Sequence, residues 1–175
     1  MPFTPFHLGP GLFFGLILLR FIDFPTFLLA SAIVDIEPFL VLTLDLDYPL
    51  HGFFHSFLGG TVAAIVLALV MSRTRKTFSP LLALFQLEQK TSFKSVLLAS
   101  ISGVYFHVLL DSRIYLDIRP LYPFDANPLL IPTALPGLWE YLFCVWCFLG
   151  AGIVYAVKLL FIWRNKRNYR LAKPI

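Results

Sequence analysis

The stretch Ser95–Asp111 reads SVLLASISGVYFHVLLD, an apolar run with no lysine, arginine or glutamate that ends in a histidine and an aspartate. Such a run approaches the roughly 20 apolar residues with which a helix crosses the hydrocarbon core of a bilayer. A helix repeats every 3.6 residues, so His107 and Asp111 share one face, a turn apart. A carboxylate at that depth costs roughly 2.5–3.5 kcal/mol on insertion scales, and it calls for a partner or a cation.

The rest of the chain has the same character. Its 175 residues are 58% hydrophobic and only 14% charged, whereas soluble domains carry about a quarter charged residues. Five apolar segments stand out: Leu8–Phe21, Phe24–Leu46, Gly52–Met71, Ser95–Leu110 and Leu138–Trp163. The first is short enough to be tilted or only partly spanning, and the second is interrupted by Asp35, Glu37 and Pro38. Between the third and fourth, SPLLALFQLEQK reads as a short amphipathic helix on the membrane surface. The expected fold is an all-α integral membrane protein. It is a compact bundle of about five transmembrane helices with a short cytoplasmic interfacial helix, forming one domain over residues 1–175.

Basic residues set the expected orientation. Arg73, Arg75, Lys76, Lys90 and Lys94 fall in the segment 73–94, and Arg164, Lys166, Arg167, Arg170 and Lys173 in the tail 164–175. The loop 112–137 holds only Arg113 and Arg119. The positive-inside rule then places the first two groups in the cytoplasm, the 112–137 loop outside and the N-terminus outside. The beginning MPFTPFHLGPG lacks the basic region and small-residue cleavage site of a secretory signal and reads as mature sequence. The expected location is a plasma or inner membrane. The net charge of +4 is explained by topology, so no nucleic-acid partner is expected. Cys144 and Cys147 have a redox-like spacing, but one helical turn apart in an apolar segment they read as packing residues.

On this topology the ionisable residues gather on one side. His7 opens the first span, Asp35 and Glu37 lie in the outer half of the second, and His51 and His55 open the third. His107 and Asp111 close the fourth and Glu140 opens the fifth. His7, Asp35 and His107 each lie about a dozen residues from the inner end of their helix, or about 18–20 Å at the helical rise. His51 and His55, four apart, are expected to share a helix face as His107 and Asp111 do. Imidazole with carboxylate suits Zn, Mn or Fe better than Mg or Ca. Each part alone has a plainer reading: a membrane histidine packs and hydrogen-bonds, and Asp45, Asp47, Asp117 and Asp125 read as solvated loop acids. The joint pattern favours a metal site.

The segments His7-Leu8-Gly9, Val34-Asp35-Ile36-Glu37, His51-Gly52-Phe53-Phe54-His55-Ser56 and His107-Val108-Leu109-Leu110-Asp111 together resemble the predicted membrane-bound metal-dependent hydrolases, which include SOS-regulated bacterial inner-membrane proteins. Their pattern is an early His, a PD-x-D segment, an H-x-x-x-H-S segment and an H-x-x-x-D segment. The likeness runs in order to about residue 130 and takes in Pro123-Phe124 and Asn127-Pro128. Val34 and Glu37 depart from it, standing where the family has Pro and Asp. That family is distantly similar to zinc-dependent phospholipases C and single-strand nucleases. The resemblance implies one or more divalent ions, zinc first, with His7, Asp35, His55, His107 and Asp111 as leading ligands and His51 and Glu37 next.

The expected function is therefore hydrolysis of a phosphoester in a lipid or lipid-linked substrate at the outer leaflet. Zinc lowers the pKa of its water to about 7 and supplies hydroxide at neutral pH. Glu37 or Glu140 would serve as general base if free of metal. Arg113 and Arg119 are candidates for binding the phosphate, or else they hold loop carboxylates such as Asp117. Two rivals come from other classes. A metal or proton transporter would continue its polar path inward, where the spans are nearly pure hydrocarbon. An accessory subunit would hold a structural metal, or haem between His55 and His107.

Overall fold

Helix boundaries follow from caps and breakers. The computed structural model describes residues 5–171; Lys173 of the basic tail lies outside them. Its helices are α1 (Leu8–Ile17), α2 (Phe24–Ala30), α3 (Ile36–Thr43), α4 (Phe57–Thr74), α5 (Ser79–Leu84), α6 (Phe93–Ser112) and α7 (Leu138–Leu171). The described residues contain no strand. Four stretches are long and apolar enough to cross a membrane: Phe24–Thr43, Phe57–Leu84, Phe93–Ser112 and Leu138–Asn168. The first segment is shorter than expected, because its helical part ends at Ile17 and turns follow to residue 22.

Asp23 starts α2 by accepting hydrogen bonds from the Thr26 backbone N–H and hydroxyl, at 3.2 and 2.6 Å. Pro25 occupies the first turn of α2, where a missing N–H costs nothing. The carboxylate of Asp23 also takes Arg75 Nε at 2.5 Å, and both residues are buried. That ion pair ties the start of α2 to the far end of α4. Beside it the Gln89 side chain donates to the carbonyls of Leu19 and Ile22 and accepts from the Phe24 N–H.

α2 and α3 together make the apolar stretch Phe24–Thr43, broken at residues 31–35 by a 3-10 turn, Ile33–Asp35. α4 begins only at Phe57, because Ser56 caps it by accepting from Gly59 N–H at 2.9 Å. α6 begins with a capping box between Ser92 and Ser95. The segment expected as a surface helix, residues 79–90, is helical only over the six-residue α5, which follows a 3-10 turn at Arg75–Phe78. It continues the helical path of α4 and buries Leu82 against Leu16, Phe24 and Ala151. The tail expected after Trp163 is helical through Leu171.

α4 packs on α6 through small residues: Ala64 and Ala68 pack with Val96, Val104 and Val108, and Ser100 donates to the Ala64 carbonyl at 2.6 Å. α2 lies against the other side of α6. A Cβ at Gly103 would stand 2.6 Å from Ala30 Cβ and 3.0 Å from the Phe27 carbonyl, so only glycine permits this approach. α1 joins α7 to the bundle, with Phe14 packed edge-on against Phe106 of α6. The loop from 113 to 137 is held to the α6 terminus by Asn127, whose amide donates to the Ser112 carbonyl at 2.8 Å.

A candidate metal centre

Two imidazoles and two carboxylates from three segments meet where α6 ends. His55 Nε2, His107 Nε2 and one oxygen each of Asp35 and Asp111 lie within 4.8 Å of one another. His107 Nε2 is 3.3 Å from Asp35 and 3.2 Å from Asp111; His55 Nε2 is 3.9 and 4.0 Å from the same two oxygens. All four residues are buried, both histidines completely. Ligands held about 2.0–2.2 Å from a tetrahedral zinc stand about 3.3–3.6 Å apart. The observed spacings bracket that value.

The tautomers are set from behind. His107 Nδ1 donates to the carbonyl of Ser31 at 2.8 Å, a carbonyl freed because α2 ends there. His55 Nδ1 lies 2.9 Å from Glu37 Oε2, while Glu37 Oε1 accepts from the Phe54 N–H at 3.2 Å. With the proton on Nδ1, each Nε2 carries a lone pair. Both Nε2 atoms are buried without a hydrogen-bond partner. Lone pairs on nitrogen thus face carboxylate oxygens in a site shut off from water. A cation relieves this arrangement, and two carboxylates with two neutral imidazoles balance a divalent one. Imidazoles oriented through Nδ1 by a further acceptor, together with carboxylates, are what zinc, manganese and iron sites use.

The other expected residues take different places. His7 Nε2 lies 2.9 Å from the second oxygen of Asp111, its ring centroid 3.9 Å from that of His107. It orients a member of the cluster, and its buried Nδ1 has no partner. Glu37 binds His55 rather than joining the four. His51 and His55 do not share a helix face: Ser56 delays the helix, leaving His55 on a 3-10 turn and His51 in the loop before it. His51 is 3.0 Å from Asp117, stacks on Tyr115 at 4.3 Å, and meets the His55 ring edge-on at 4.8 Å. Burial pushes its imidazole below the ordinary histidine value, against the pull of Asp117. Burial also pushes the Tyr115 phenol above its ordinary value.

Arg113 binds Glu140 at 2.9 Å, and Arg119 binds Asp125 at 2.7 Å. Asp117, read as a solvated acid, is half-exposed and bound to His51. A void of about 10 Å³, room for about one water, lies among His7, Asp111, Tyr115, Glu140 and Tyr141. Cys144 and Cys147 are buried free thiols. Sequence reasoning missed the Ser31 carbonyl and Asp117. Neither carries a local signal, because the first depends on a helix break and the second pairs across 66 positions. Comparisons of the chain with family models, curated proteins and solved structures find no match.

Proposed function

We propose that the cluster of Asp35, His55, His107 and Asp111 binds a divalent cation, zinc first, and that the protein is a membrane-embedded hydrolase of lipid phosphoesters. The observation that carries this is the pair of buried, unpartnered Nε2 atoms aimed at two carboxylates. A zinc ion there would supply Lewis acidity and an activated water. The chain's own residues divide the remaining work. Glu37 has both oxygens engaged, which leaves Glu140, bordering the water-sized void beside Asp111, as the candidate base. His7 holds the far oxygen of Asp111, and Ser31 and Glu37 hold the two histidines. On the positive-inside reading this site lies in the outer leaflet, within reach of lipid headgroups.

Transport is the weaker reading. Toward the basic end the cluster is followed by the apolar Ala30, Ala64, Leu67, Ala68, Val96 and Val104, and the buried charges beyond them, Asp23 and Arg75, are bound to each other. Elemental analysis of protein purified without chelators tests the proposal. It should show bound metal that the double variant His107→Ala, Asp111→Ala loses, and zinc should confer phosphodiesterase or phospholipase activity. Metal-free wild-type protein that gains no activity with zinc would sink it.

A further inference from the structure

Two cavities flank the segment His51–His55, and they differ in chemistry. On one side an apolar groove of about 350 Å³ runs along α4, lined by Ile33, Val34, Ile36, Phe54, Val62 and Val66. On the other a pocket of about 530 Å³ is lined by Tyr48, His51, Asp117, Arg119, Tyr122 and Asp125. The rings of Phe53 and Phe54, 5.8 Å apart, form the divide, Phe53 lining the polar pocket and Phe54 the groove. Neither cavity is lined by a cluster residue, but the divide is linked to the cluster through Glu37, which accepts from the Phe54 N–H and holds His55. A hydrocarbon slot and a charged pocket on the two sides of one aromatic divide match the two ends of an amphiphile.

The polar pocket specifies more. Arg119 is bound to Asp125 in an exposed pair, an interaction of small net strength that can be exchanged for a phosphate. Asp117, half-exposed, is bound among the described residues by the imidazole and N–H of His51, and its exposed side can accept from a ligand as well. A phosphate bound at Arg119 would share its pocket with the Asp117 acceptor.

We infer that the two cavities form one phospholipid site, with an acyl chain along Phe54 and Val66 and a headgroup carrying hydrogen-bond donors between Arg119 and Asp117. The inference rests on the reading of the cluster as a lipid-phosphoester site and gives that reading its substrate class. Ethanolamine and glycerol headgroups carry donors; choline carries none.

Native mass spectrometry of the intact, zinc-supplemented protein tests this with phosphatidylethanolamine, phosphatidylglycerol and phosphatidylcholine. The first two should be retained over the third. Val66→Trp, which fills the groove, should cut retention of all three about tenfold, the equivalent of some two methylenes lost from a buried chain. Arg119→Ala should weaken phospholipid retention while leaving metal content unchanged. Should Val66→Trp fail to fold, Val62→Trp fills the same groove. Folded groove variants that retain lipid as the wild type does, or equal retention of phosphatidylcholine, overturn the inference. Metal content of the same samples judges the cluster separately: metal-free wild type would sink the hydrolase reading, while lipid retention would still decide this one.

Discussion

His107 of α6 and Ser31, the residue that caps the end of α2, are joined by a 2.8 Å hydrogen bond from the imidazole Nδ1 to the backbone carbonyl. The bond exists because α2 stops at Ala30 and releases that carbonyl. It fixes the tautomer, turns the other nitrogen toward Asp35 and Asp111, and couples a helix break to the chemistry of the site.

Packing that sets this bond should therefore control metal retention. Gly103→Val places a side chain against Ala30 and the Phe27 carbonyl. Overpacking of this kind costs about 1–3 kcal/mol, and the displaced α2 should carry Ser31 away from His107. Thermal unfolding and metal content should both fall. Gly152→Ala, where an added Cβ meets nothing within 4 Å, is the control and should change neither.

Glu37→Gln keeps the size of the side chain but removes the charge that supports His55. Loss of such an outer partner typically costs 10–100-fold in metal affinity. Competition with a chromogenic chelator should show a weakening in that range. Unchanged affinity would mean that Glu37 serves only the Phe54 N–H.

Acid should release the metal. Ligation uses the Nε2 lone pairs of His55 and His107, so each must be unprotonated there, and protons compete as pH falls. Bound metal, measured after desalting at stepped pH, should decline on the acidic side, with more than one proton taken up per ion lost. A pH-independent metal content down to about 4 would contradict the assigned ligands.

The buried pair of Asp23 and Arg75 should be essential to the opposite end of the bundle. Removing one partner of such a pair costs about 3–5 kcal/mol, because the other charge is left buried alone. Arg75→Met should lower the unfolding temperature clearly. Asp23→Ala added to it should recover part of the loss, despite the missing cap on α2. Additive destabilisation would show that the two charges act independently.

How much of this was legible in the sequence depended on distance along the chain. The pairing of His107 with Asp111 needs only the helical repeat, and it holds at 3.2 Å. The spacing of His51 and His55 looked identical, yet Ser56 is the helix cap, so the repeat does not apply before it. A serine just ahead of an apolar run was the available signal. The Asp117–His51 contact and the Ser31 carbonyl arise from tertiary packing and from a break whose angle no local pattern specifies. That the histidines and intramembrane carboxylates gather on one side is readable because hydrocarbon segments leave ionisable groups few places to go; that Asp35, His55, His107 and Asp111 are the four that meet is not readable from that argument.

The shortness of the first helical segment has a consequence for the surrounding lipid. Pro5–Ile17 is about 20 Å long at the helical rise, against a hydrocarbon thickness of about 30 Å. Placed in a bilayer beside the full-length α7, it creates a hydrophobic mismatch on one flank only. The leaflet there must thin or admit headgroups to a greater depth. In such a bilayer His7 would lie at the rim of a local dimple, and the thickness of the host membrane would then bear on access to the buried cluster.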